Sequence, residues 1–236
     1  MVIDRPKALN ALDTRAKQEL ATFWHDAATN DDVNVVLLRG AGVRAFCAGS
    51  DLKEIQAKGR AVDTSTLAYA LPGAGWVFPK PVIAAIHGFC LGMGMSLALH
   101  CDVRYASDDA TFALPEVRHG MLSAFSALKL PLMIPQPWAM ELLLSGRTIT
   151  AQEALAKGIL NRVLPRERLF VEAEELAMEI AAHPTRAVQE NKRLAMQVFE
   201  RLRSDVLDSA DLARRRVEAD EAFKVGADRF AGRERA

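Results

Sequence analysis

Residues 81–100 contain no Asp, Glu, Lys or Arg, and Gly88, Gly92 and Gly94 interrupt them. A run of about 18–20 apolar residues is long enough to raise the question of a membrane span. This run also holds His87 and Ser96, and Lys80 and Asp102 flank it closely. A buried strand over 82–86, a turn at His87-Gly88, a glycine turn over 91–96 and a short buried helix to His100 account for it better. The run therefore predicts a deep core in which the chain turns back sharply, with main chain close to main chain at the glycines.

The rest of the composition narrows the class. The chain has 236 residues, 30 basic and 30 acidic side chains, and half its residues are hydrophobic. That suits one globular domain of about 150–250 residues, with room for a helical appendage. A net charge of zero gives no electrostatic reason to expect a nucleic acid or a membrane surface as partner. Cys47, Cys90 and Cys101 show no CxxC or Cys/His spacing, so neither a metal site nor a disulfide framework is expected. The opening Met-Val-Ile-Asp-Arg lacks the apolar core of a secretory leader. Together these features predict a reducing, cytoplasmic setting.

Hydrophobic spacing gives the element order. Leu12, Ala16, Leu20, Phe23, Trp24 and Ala27 recur at helical intervals, so 13–29 reads as an amphipathic helix. Residues 33–39 form a short apolar run ending at Gly40, which reads as a buried strand, and 102–106 is strand-like again. Thr150 and Glu153 form a capping box before a helix over 151–157, and Gly158 is a natural stop. Residues 159–164 return to strand, and Pro165 ends it. Helices are expected over 167–182, 185–203 and 205–224, the first two parted by His183-Pro184. The chain thus reads as an α/β core over 1–165 followed by a helical region over 166–236. That tail packs on its own chain or on a second subunit.

Three segments carry possible chemistry. In the first, Ala48-Gly49-Ser50-Asp51 leads from the strand side into a helix through Leu52-Lys53-Glu54-Ile55. Small residues there leave backbone N–H groups open to a ligand. The second is Gly92-Met93-Gly94-Met95-Ser96, a bend opening a helix. Two such bends could each aim one donor at a shared oxygen, which stabilises an anion developing on a carbonyl. The third, Leu114-Pro115-Glu116, places a carboxylate at the end of an apolar run, where lost solvation would raise its pKa and suit it to proton transfer. Each also has a plainer reading: a tight turn, close helix–strand packing, and a surface glutamate at a helix start.

In their order the three segments resemble the crotonase superfamily, the enoyl-CoA hydratase/isomerase family. The resemblance begins at Arg5-Pro6-Lys7-Ala8-Leu9-Asn10-Ala11-Leu12, similar to an RPxxxNAL signature. It runs through His87-Gly88-Phe89-Cys90-Leu91-Gly92 and 112–116 to Leu144-Ser145-Gly146-Arg147 and 151–164. The stretch from Phe112 to Pro135 is most similar to the carnitinyl-CoA dehydratase branch. The resemblance implies a ββα spiral of the ClpP/crotonase kind, with a C-terminal helical region that builds homotrimers or dimers of trimers. It implies an acyl-CoA substrate, with coenzyme A present only as part of that substrate and no separate cofactor. It places the two oxyanion donors at the backbone N–H groups of Ser50 and Met93, and the proton-transfer carboxylate at Glu116. Ala8, Leu9, Ala48, Gly49, Asp51, Leu52 and Lys53 would lie along the CoA moiety.

The chain departs from the hydratase pattern at one decisive position. The first of the two hydratase glutamates falls at Ser96, and serine alone supplies no general base. The resemblance therefore implies an isomerase, or an atypical hydratase or dehydratase, that works with Glu116. Phe125 stands in a stretch that is otherwise glycine-rich in the family and would reshape the acyl pocket. Both ends read as short: the first strand is expected to be frayed or without its partner, and the basic terminus at 229–233 to give incomplete phosphate contacts. Two other readings stay open. Gly94-Met95-Ser96-Leu97-Ala98 is close to a GxSxG elbow, so Ser96 could be the nucleophile of a thioester hydrolase with His119 and Asp102 as candidate partners, although a helix-opening serine is the commoner case. A non-catalytic acyl-CoA-binding subunit is the second. His25, His87, His100 and His183 read as structural or solvated, and Trp24, Trp76 and Trp138 as core or interface.

Overall fold

The computed structural model describes residues 1–59, 63–200 and 203–219. Its centre is a five-stranded, all-parallel sheet in the order β1 (Val2–Ile3), β2 (Val36–Gly40), β4 (Val82–Ile86), β6 (Val103–Ser107) and β9 (Arg162–Leu164). The expected fraying at the start is not found. β1 is only two residues long, but Val2 and Ile3 pair with Arg39 and Gly40. A second sheet runs β3 (Ala45–Cys47), β5 (Phe89–Leu91), β7 (Thr111–Ala113) and β8 (Ile149–Thr150), the last pair antiparallel.

The two sheets are wound from one repeating ββα unit. β2 and β3 lead into α2 (Leu52–Lys58), and β4 and β5 into α4 (Met93–Leu99). β6 and β7 lead into a 3-10 turn over Pro115–His119 and then α5 (Ala124–Lys129). Each turn leaves its first strand in the large sheet and its second in the small one. Because β3, β5 and β7 are parallel neighbours, the loops that follow them emerge at one edge. Adjacent strands lie about 4.8 Å apart, so residues far apart in sequence meet there.

The charge-free run is β4, β5 and α4. Every residue of β4 is buried because both of its faces are covered. Val82, Ala84 and Ile86 enter the main core with Leu38, Phe46 and Trp24. Ile83 and Ala85 face α8 (Arg166–Ala181), which buries Leu169, Ala173 and Ala177 against them and Tyr105. The first tail helix therefore packs on its own chain. α9 (Thr185–Glu200) is tied to the sheet by Lys192, whose ammonium donates to the Lys80 carbonyl at 2.7 Å and to Asp102 at 2.7 Å.

α1 (Thr14–Thr29) is capped by Asp13, whose side chain accepts from the Ala16 N–H at 2.7 Å. It packs on α3 (Thr64–Tyr69), and the Trp24 indole donates to the Ala70 carbonyl at 3.0 Å. The Thr150–Glu153 capping box opens α7 (Ala151–Ala156) as expected. α6 (Gln136–Ser145) carries Trp138, which is exposed with the Lys157 ammonium 3.5 Å from its ring centroid. Trp24 is core and Trp76 half-buried. The last helix, α10 (Arg203–Glu218), packs on α5 and α3, and the Thr64 hydroxyl donates to Asp211 at 2.7 Å. The remainder of the expected helix, 220–224, and the basic stretch 229–233 lie outside the described residues.

Candidate active site

Asn10 explains the first signature segment. It is fully buried with a positive φ of 57°, an unusual conformation for a residue other than glycine. Its amide donates to the carbonyls of Ala41 at 3.0 Å and Ala45 at 2.7 Å, and its oxygen accepts from the Arg5 N–H at 3.0 Å. The side chain thus pins the N-terminal loop to the start of β3. Leu12 continues the tie, donating its N–H to the Gly49 carbonyl at 2.8 Å and accepting from the Asp51 N–H at 2.9 Å. The loop holding Ser50 is thereby held from both sides.

Glycine brings that loop to the second bend. Gly94 sits in α4, and a Cβ there would lie 2.2 Å from the Cys47 carbonyl oxygen. α4 therefore rests directly on the main chain of β3. A Cβ on Gly49 would lie 3.5 Å from the Met93 nitrogen. Gly92, at φ 52° and ψ −121°, turns the chain into α4, so that Met93 begins the helix with an N–H that has no intrahelical acceptor. Among the described residues neither the Ser50 nor the Met93 N–H has a backbone acceptor.

Glu116 stands beside this junction. A Cβ on Gly92 would lie 3.0 Å from a Glu116 carboxyl oxygen. The Ser123 hydroxyl donates to the other oxygen at 2.7 Å. Burial raises the carboxyl above its ordinary pKa, and the Ser123 bond opposes that shift. A shift in that direction suits a carboxyl to proton transfer.

The three loop ends open into one cavity of about 270 Å³. Leu9, Ala48, Gly49, Ser50, Leu52, Met93, Ser96, Glu116 and Phe125 all line it. Ala8, Asp51 and Lys53 are not among its lining residues. Ala8 and Lys53 are exposed, and Asp51 caps α2, accepting from the N–H groups of Lys53 and Glu54 at 3.1 and 3.4 Å. Phe125 is buried and also packs edge-on against His100, with ring centroids 6.3 Å apart.

Ser96 neither opens nor caps a helix. It lies inside α4, 4% exposed, with its hydroxyl 2.7 Å from that of Ser126. The histidine that touches it, His100, donates from Nδ1 to the Ser96 carbonyl at 2.8 Å, not to the hydroxyl. Burial, with Lys129 nearby, lowers the His100 pKa to about 3. Asp102 is engaged by the Val82 N–H and Lys192, and His119 lines the cavity without a bond to Ser96. Among the described residues Ser96 enters no Ser–His–Asp relay, and their geometry does not favour the hydrolase reading. His87 is buried, and His25 and His183 are exposed.

Lining residues from the remote ends of the chain gave no signal in the sequence. Lys17 of α1 belongs to this wall, as do Arg214, Val217 and Glu218 of α10. Ser123 was equally silent, since its role follows from a turn that spacing does not predict.

A ββα spiral with two glycine-packed bends and a buried carboxyl beside them, all on one cavity, is the architecture of a crotonase-type fold. The family model for enoyl-CoA hydratase/isomerase matches residues 1–236. A carnitinyl-CoA dehydratase from Proteus mirabilis is 40% identical over 197 residues, covering 82% of this chain and 75% of that one. An (E)-benzylidenesuccinyl-CoA hydratase from Thauera aromatica is 35% identical over 202 residues, covering 83% and 77%. Among solved structures, a carnitinyl-CoA hydratase from Mycobacterium avium superposes with a TM-score of 0.86 at 29% identity, covering 98% and 91%. The EchA1_1 protein of Mycobacterium paratuberculosis does so at 0.87 and 30%, covering 96% and 90%. The chain belongs to the enoyl-CoA hydratase/isomerase family of the crotonase superfamily, near the carnitinyl-CoA dehydratases. The hydratases and dehydratases among these relatives are lyases by name, and the family model also covers isomerases. Among the described residues no helix is long and apolar enough to cross a membrane.

Proposed function

We propose that the cavity binds an acyl-CoA thioester and that the Ser50 and Met93 N–H groups hold its thioester oxygen as an enolate forms. Glu116 removes or returns the proton at the carbon conjugated to that thioester. The observation that carries this reading is the convergence of three loop ends, with the Glu116 carboxyl against Gly92 and the Met93 nitrogen against Gly49. Met93 in place of a smaller residue leaves its N–H available, because the donor is main chain. Ser96 and Ser126 occupy each other's hydroxyls, so the position where a two-base hydration would carry its other carboxyl holds a hydroxyl pair instead. That favours double-bond migration, or a hydration or elimination run by Glu116 alone. Self-association into trimers belongs to the same proposal.

The test is exchange of the substrate's acidic C–H protons in D2O, followed by NMR on crotonyl-CoA and a 3-enoyl-CoA. Wild-type protein is expected to exchange or isomerise at least one of them, and Glu116→Gln neither. Equal exchange by the two proteins overturns the assignment. A second expectation concerns pH. Ser123→Ala removes the bond that steadies the charged carboxylate, so the Glu116 pKa moves further up. The acid limb of the rate profile, where the base form is lost, should shift to higher pH. A shift to lower pH would contradict the hydrogen bond.

A further inference from the structure

We propose that Lys17 is a recognition point for a carboxylate carried by the acyl group, so that the preferred substrates are CoA thioesters of diacids. This rests on the acyl-CoA reading above and specifies its substrate class. Lys17 occupies a core position of α1, in one buried stripe with Leu20, Trp24 and Ala27. An apolar side chain would suit that stripe. The lysine is 1% exposed and lines the cavity beside Leu52, Ile55 and Leu67.

Among the described residues its ammonium has no hydrogen bond or ion pair. The acids that surround it are committed elsewhere. Glu54 accepts from the Thr14 N–H at 2.8 Å and from Lys58 at 2.7 Å. Asp13 caps α1 and pairs with Arg5 at 2.7 Å. Asp51 caps α2 and meets the same arginine at 3.3 Å. Burial outweighs their attraction and lowers the Lys17 pKa to about 8. A buried ammonium with no direct counter-ion is costly, and an anion brought by the ligand would relieve that cost. The other charged lining groups are already placed: Glu116 at the reacting centre, and Arg214 and Glu218 3.8 Å apart on one helix. Lys17 is almost wholly enclosed, so an anion can reach it only from inside the cavity, and we assign that anion to the acyl group.

The test compares saturated, non-reacting ligands of matched length by calorimetry: succinyl-, glutaryl- and adipyl-CoA against butyryl-, valeryl- and hexanoyl-CoA. For at least one pair the wild-type protein is expected to bind the diacid thioester tenfold or more tightly. Lys17→Met should bring that pair to within threefold, and Lys17→Gln serves if the methionine variant does not fold. If wild-type protein binds the monoacid thioesters and no diacid exceeds its partner, the proposal falls while the acyl-CoA reading stands. A preference that survives both substitutions also overturns it. If no thioester binds, the underlying reading fails and takes this one with it.

Discussion

Replacing Glu116 by Gln is expected to slow turnover by about 10²–10⁴-fold, because general acid–base groups contribute on that scale. The amide keeps the shape and the Ser123 contact but cannot cycle a proton. The loss should fall on kcat, with KM little changed, since the carboxyl neighbours the bend at Gly92 while cavity walls supply most contacts. The same variant has a stability signature that separates it from simple damage. Burial raises the pKa of Glu116 in the folded protein. Stability is then fully present below the unfolded carboxylate pKa of about 4.3 and is lost as pH rises through the folded-state value. Glutamine is never charged and escapes that loss. Thermal melts should show the variant similar to wild type in acid and more stable near neutrality. A variant less stable at neutral pH would mean that the carboxylate has a counter-charge in the folded protein.

Gly94→Ala should be the most damaging small substitution near the site. Its added carbon would lie 2.2 Å from the Cys47 oxygen and 2.9 Å from the Cys47 carbonyl carbon, atoms of main chain that cannot rotate away. α4 and β3 must separate to admit it. We expect about 3 kcal/mol or more of destabilisation, at the upper end for an overpacked core. If the protein still folds, the Ser50 and Met93 amides are held further apart. Losing one oxyanion donor costs about 3–4 kcal/mol in other enzymes, so kcat should fall 10²–10³-fold on top of the stability loss. Urea unfolding and steady-state kinetics on the folded fraction separate the two effects. Wild-type kcat in folded Gly94→Ala would show that the spacing of these bends is not used in catalysis.

Much of this architecture was legible in the sequence, for identifiable reasons. α1, the Thr150–Glu153 box and the apolar β4 each carry a local pattern, and each appears where spacing put it. The small sheet was not legible, because β3, β5 and β7 are three residues each, too short for any period to show. Two residues were not legible, for different reasons. Ser96 has the neighbours of a helix-start serine, but its partner is Ser126, thirty positions on, which no local rule supplies. Lys17 gave no signal at all, although it is among the least exposed residues of α1. The α10 wall depends on Thr64 meeting Asp211, a contact across 147 positions that only the folded chain reveals.

The way the amides are fixed has a consequence for how such a protein tolerates change. The atoms proposed to grip the thioester belong to Ser50 and Met93, but neither side chain sets their position. That information resides in neighbours: the absent side chains of Gly94 and Gly49, and the amide of Asn10. The half-buried side chain at position 50 can therefore change and retune what the pocket accepts without moving the proposed donors, whereas Met93 is held by packing in the main core. Mutational sensitivity and chemical participation need not coincide in such an arrangement, and a scan that equated the two would overlook a residue whose proposed contribution is its main chain.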